Sequence, residues 1–166
     1  REELGVEFRW IGVYWLVAVL AEILLLYFYR NLFKREHCFM VMGFSLIATI
    51  LRLFLMSQVE APWEVFILQL LHAFTFASFY LASIDYVEHL FKGEQKTMGL
   101  SLVTSVSLGL SAIIGMNLCG VLEPYLGIRG LFLAASGIPF LAIALLLYLR
   151  SLEPGKFKPQ NPAEHI

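Results

Sequence analysis

"LQLLHAFTFASFYLASIDY", residues 68–86, decides how this chain is read. The run is apolar enough and long enough to lie in lipid, yet Gln69, His72, Thr75, Ser83 and Asp85 interrupt it. A helix crossing a bilayer needs about 20 predominantly apolar residues. A charge at the bilayer centre costs about 2.5–3.5 kcal/mol on insertion scales. The polar groups of this run are therefore expected to face water, a ligand or one another.

The rest of the chain has the same character. Of its 166 residues, 59% are hydrophobic and only 15% charged; the mean hydropathy is +0.75. That leaves too little polar surface to coat a soluble domain, and apolar runs of membrane-spanning length recur throughout. The reading is an integral membrane protein. The net charge of −1 and the lack of a basic stripe point away from nucleic acid. Cys38 and Cys119 have no metal-ligand spacing and read as small apolar side chains. The four histidines are scattered, and no H-E-x-x-H or G-x-S-x-G motif occurs. Neither an enzyme nor a metal or other cofactor is expected.

The pattern predicts an all-α, polytopic membrane bundle of five transmembrane helices. They cover Arg9–Tyr29, Cys38–Met56, Trp63–Leu90, Thr97–Leu122 and Gly130–Leu149. Short turns join them, so sequential helices should be antiparallel neighbours. Residues 1–150 form the bundle, and 151–166, with three prolines, are expected to be a disordered tail. Arg30, Lys34, Arg35, Lys92, Lys96, Arg150, Lys156 and Lys158 fall on one side; Arg1, Arg9 and Arg129 fall on the other. The positive-inside rule puts the first group, and the C-terminus, in the cytoplasm of an inner or plasma membrane. The first apolar run is too long for a cleavable signal peptide. An odd number of helices starting outside, without an initial Met, suggests an upstream segment.

Arg52 belongs to no loop. At 1.5 Å per residue, Glu22, Arg52 and His72 lie about 20, 6 and 14 Å below the outer ends of their helices. They occupy overlapping depths on neighbouring helices. Three stripes at helical period carry them. One joins Gln69, His72, Phe76, Phe79, Ser83 and Tyr86, with Thr75 at its flank. A second joins Ser45, Ala48, Thr49 and Arg52, and a third Trp15, Ala18, Glu22 and Tyr29. Mixed polar and aromatic stripes suit the wall of a wet, ligand-sized cavity. The plainer alternatives are that Arg52 snorkels to the headgroups and that His72 only bonds a neighbouring helix. Asp85 is expected to cap or to pair with a loop Lys or Arg. Ser101, Ser105 and Gly109, and Ser111, Gly115 and Cys119, recur at four-residue intervals, predicting close helix packing. Asn117 is a candidate polar contact there. Gly137 and Pro139 predict a kink.

The runs "WLVAVLAEILLLYF" (residues 15–28) and "LQLLHAFTFASFYLASIDYV" (residues 68–87) resemble the major facilitator superfamily. The resemblance is to the C-terminal half, helices eight to twelve, of the phenylpropionate-permease-like and nucleoside–proton-symporter-like branch related to lactose permease. In lactose permease an Arg and a His twenty residues apart, with an aromatic two positions after the His, serve sugar binding and proton coupling. Arg52, His72 and Phe74 match that spacing. The family's proton-carrying carboxylate corresponds here to Thr75, which carries no proton. Coupling would then use Glu22, Asp85 or an acid in the missing N-terminal half.

The resemblance implies a secondary transporter, a proton-coupled symporter or permease moving a small organic solute by alternating access. A sugar, a nucleoside or an aromatic acid would suit the aromatic and arginine side chains. The expected partners are that solute, protons, the lipid bilayer and the N-terminal half. The candidate site residues are Glu22, Arg52, Gln69, His72, Phe76 and Asn117. Two further readings stay open: a non-transporting protein that binds a ligand or partner, and a free-standing five-helix membrane enzyme or channel subunit.

Overall fold

The computed structural model describes residues 9–33 and 37–152. They fold into four long apolar helical stretches: α1 (Arg9–Leu32), α2 (Cys38–Gln58), α3 (Pro62–Leu90) and α4 (Glu94–Leu152). The expected disordered tail, and Lys34 and Arg35 of the first turn, lie outside the described residues.

Local chemistry sets the helix ends. Pro62 opens α3 where no N–H is needed. The Glu64 carboxylate accepts the backbone N–H groups of Glu60 (2.9 Å) and Ala61 (3.4 Å), which the helix itself leaves unpaired. Gly93, at φ 59°, makes the reversal into α4 that a side chain would strain. Lys96 pairs with Glu88 at 3.1 Å across that turn.

The sequence predicts two separate helices after Lys96, whereas the structure keeps one helical stretch of 59 residues. It is broken at Gly127, whose φ of 65° and ψ of 173° are not helical. The residues expected to form a loop, including Pro124, continue the helix up to that point. There α4 doubles back. Leu102 and Val103 of its first arm (residues 94–126) and Leu145 and Leu149 of its second arm (residues 128–152) line one cavity. In a straight helix these pairs would lie about 65 Å apart. The second arm runs along α2: Arg129 donates to Val59 O (3.0 Å) beyond one end of α2, and Arg150 lines one cleft with Phe39 and Met40 near the other. The expected kink is present as a break between Ala135 and Ile138, with Pro139 in the next first turn.

α2 is the central element, touching α3 and α4, while α1 packs on α3. Small side chains make this possible. Ala73 and Ala77 of α3 pack on Leu25 of α1. Ala82 of α3 joins Tyr29, Cys38, Val41 and Met42 in the largest buried cluster. Close approach over small residues is how membrane helices gain dispersion contact without a hydrophobic drive.

The small-residue ridge expected on α4 behaves differently. A Cβ on Gly109, Gly115 or Gly120 would meet nothing within 4 Å, and residues 108–126 are exposed apart from Gly115. Spacing marks a ridge but does not say what covers it, and no part of the described chain does. The tight glycine is Gly99, where a Cβ would lie 2.8 Å from Val87 Cγ1 and 3.3 Å from Phe91 Cδ2. Gly99→Ala is therefore expected to lose about 1–3 kcal/mol of stability through overpacking. Denaturation in detergent would show it.

Candidate functional site: a polar cluster between three helices

α3 does not run as a uniform α-helix. Ala73–Ala77 forms a wider turn in which Ser78 N–H bonds to Ala73 O, five residues back. Such turns insert one extra residue and recur at functional sites. Its consequence is a change of face, which splits the stripe expected from sequence. Above the turn, Gln69 and His72 share a face, and His72, Phe76 and Tyr80 continue it at intervals of four. The rings of His72 and Phe76 lie parallel within 7° at 5.7 Å, and those of Phe76 and Tyr80 within 5° at 6.1 Å. Phe79, Ser83 and Tyr86 instead turn toward the apolar cavity between α2, α3 and α4.

The polar groups meet at the top of this ladder. Glu22 Oε1 of α1 lies 3.0 Å from His72 Nε2, both side chains partly buried at 22% and 23% exposure. The pair shares hydrogen either way: an imidazole N–H donates to a carboxylate, or a protonated carboxyl donates to a free ring nitrogen. His72 Nδ1 is buried and meets no partner among the described residues. Arg52 of α2 donates through Nε to Leu68 O (3.0 Å) and through Nη2 to Gln69 Oε1 (3.1 Å). No ion pair joins Arg52 to Glu22 among the described residues. α3 links them instead, Gln69 holding Arg52 one turn before His72 holds Glu22. Arg52 thus points into the bundle rather than snorkelling.

At the lower end of the ladder, Tyr80 Oη lies 3.0 Å from Thr104 Oγ1 of α4. Thr104 donates its own proton to Leu100 O at 2.9 Å, so Tyr80 is the donor. Thr104 immediately precedes a second widened turn, Ser105–Leu110. The ladder therefore spans from Glu22 on α1 to α4. Tyr80 lies outside the stripes read from sequence, although its spacing of four from Phe76 is one that an ordinary helix also puts on one face.

Several expected wall residues face elsewhere. Ser45 is fully buried at 0% exposure and donates to Val41 O, while Thr49 donates to Ser45 O, each at 2.8 Å. Hydroxyls four residues along a helix satisfy themselves on its own carbonyls. Trp15 is 64% exposed, away from the buried neighbours Ala18 and Tyr29 on its stripe. Thr75 is buried and donates to His72 O at 2.9 Å, so its hydroxyl is committed within α3. Asn117 is exposed, its amide donating to Ile113 O at 2.7 Å, and no hydrogen bond joins it to the cluster. Asp85, 3% exposed, accepts from Tyr29 Oη at 3.2 Å and so ties α3 to α1.

The chain now has the marks of a polytopic membrane protein with ionisable groups gathered from three helices. No curated protein and no solved structure shows significant similarity to it. A family model described as the MFS_1 like family matches residues 2–134, most of the chain. Families of this superfamily comprise membrane transporters rather than enzymes, and the apolar helices agree with an integral membrane protein. The chain belongs to the MFS_1-like family of the major facilitator superfamily.

Proposed function

We propose that this chain is one wall of a secondary active transporter, with Glu22, Arg52, Gln69 and His72 as its solute- and proton-handling cluster. The observation that carries the reading is the convergence of a carboxylate, an imidazole, a guanidinium and an amide from three apolar helices. Ionisable groups in membrane helices are costly and mark ion or substrate pathways. Transporters place such sites near the midplane, at the interface of two halves that rock against each other.

In this reading α4 crosses the membrane twice, turning at Gly127, so that the chain has five spans with its C-terminus in the cytoplasm. The other half of the cavity comes from an N-terminal bundle. The exposed face of residues 108–126 supports this, since an apolar glycine-bearing ridge suits a second helical bundle.

The cluster divides the work. Arg52 retains N–H donors that reach no acceptor among the described residues, so an anionic or hydroxyl-rich solute can bind it without displacing Gln69. Phe76 and Tyr80 offer a planar ladder for a ring, which favours a nucleoside, an aromatic acid or a sugar. Glu22 and His72 take up the coupling proton, between Oε1 and Nε2, as solute binds. Asp85 is bound by Tyr29 on a different part of α3 and has no part in this step.

A second reading, a ligand-binding membrane protein that does not transport, draws on Thr75. That residue stands where the resemblance calls for an acid, and its hydroxyl is committed to His72 O. Uptake into proteoliposomes separates the two. With the full-length protein and a panel of labelled aromatic acids, nucleosides and sugars, transport predicts accumulation of at least one solute under an inward proton gradient. Saturable binding of a solute without accumulation would favour the second reading.

A further inference from the structure

Two apolar clefts flank the second arm of α4, away from the polar cluster. The first, of about 360 Å³, lies between α2 and α4: Met40, Gly43 and Ile47 form one side, Ile143 and Leu147 the other. The second, of about 460 Å³, reaches inward to Tyr86 of α3 and Val103 of α4. Phe39 and Leu146 line both and form the partition between them. Arg150 ends the first cleft and is, among the described residues, the one charged residue lining either. It is exposed and has no carboxylate partner among the described residues.

We propose that the paired clefts hold one anionic diacyl phospholipid, with a headgroup phosphate on Arg150 and one acyl chain on each side of the Phe39–Leu146 partition. Charge complementarity selects this occupant. A zwitterionic lipid fills the apolar walls equally well and also carries a phosphate that can pair with the guanidinium in bidentate fashion, but its own cation offsets that charge, whereas an anionic lipid brings a net negative charge to Arg150. Basic pockets between membrane helices bind anionic headgroups on the same ground. Two adjoining clefts behind one cation match a two-chain lipid better than a fatty acid. Gly43 keeps the first cleft open: its Cβ position is 3.9 Å from Leu146 Cδ2, so a bulky side chain there would close the gap.

The test is native mass spectrometry of the full-length protein in detergent, given equal amounts of phosphatidylglycerol and phosphatidylcholine. The wild type should retain phosphatidylglycerol about fivefold over phosphatidylcholine, as expected for one arginine at a membrane surface. Arg150→Gln should abolish that preference, and Arg150→Lys should retain only part of it, the charge remaining without the bidentate fork. Gly43→Phe should lower retention of both lipids. Single-chain lysophosphatidylglycerol should be held more weakly than its diacyl form. Equal retention of both lipids by the wild type, or an undiminished preference in Arg150→Gln, overturns the headgroup assignment. Equal retention of the lysolipid, or unchanged binding in Gly43→Phe, overturns the two-cleft placement. Should Gly43→Phe fail to fold, the Arg150 variants and the lysolipid decide alone.

Discussion

Arg52→Gln is expected to reduce solute accumulation by about ten- to hundredfold while leaving the protein inserted and folded. The magnitude follows from hydrogen bonds to a charged group, worth about 1.5–3 kcal/mol each. Arg52 bridges α2 to α3 through Leu68 O and Gln69 Oε1, and its free donors are the strongest anion-binding element in the cluster. Glutamine reaches neither the same distance nor the same charge. Arg52→Lys keeps the charge but not the fork that spans a backbone carbonyl and a side-chain amide, so it should recover only part of the activity. Uptake assays in proteoliposomes, normalised to the amount of folded protein, would check both. Full accumulation by Arg52→Gln would reduce Arg52 to a structural tie between α2 and α3.

Glu22→Gln has the second large effect. Glutamine can still bond His72 Nε2 across the 3.0 Å contact, so the local packing should survive. What it removes is the exchangeable proton. Solute and proton that share one network bind interdependently, and removing the proton's seat removes that coupling. Accumulation against a gradient should fall to equilibration, while exchange of solute at equal pH on both sides continues. His72→Gln should impair both activities, because it also breaks the aromatic ladder with Phe76. Uphill transport by Glu22→Gln would remove Glu22 from the coupling role.

Much of this arrangement is legible in the residues themselves. Apolar length alone puts α1, α2 and α3 within a few residues of their observed bounds, because about 20 apolar residues leave a helix few other places to be. Depth along each helix puts Glu22, Arg52 and His72 in the outer to middle zone with overlapping reach, and the structure joins Glu22 to His72 and Arg52 to Gln69. What is illegible follows from features with no local signature. The widened turn at Ala73–Ala77 carries no Pro or Gly, yet it moves Phe79, Ser83 and Tyr86 off the His72 face. The hydroxyls of Ser45 and Thr49 look like cavity lining by period but are satisfied by carbonyls four residues back. The ridge on α4 has the right spacing for packing, while the close contacts use Ala73, Ala77 and Ala82. Spacing gives a face; which partner meets that face is decided by the whole bundle.

If solute and proton meet at the Glu22–His72–Arg52 cluster, solute binding must itself move a proton. The most direct test measures proton exchange on solute binding, without transport. The full-length protein, solubilised in weakly buffered detergent with a pH indicator, is mixed with the solute identified by uptake. The wild type should take up close to one proton per solute bound, and Glu22→Gln should bind the solute with no proton uptake. Solute binding that moves no proton in the wild type, or the same proton uptake in Glu22→Gln, would contradict a shared cluster.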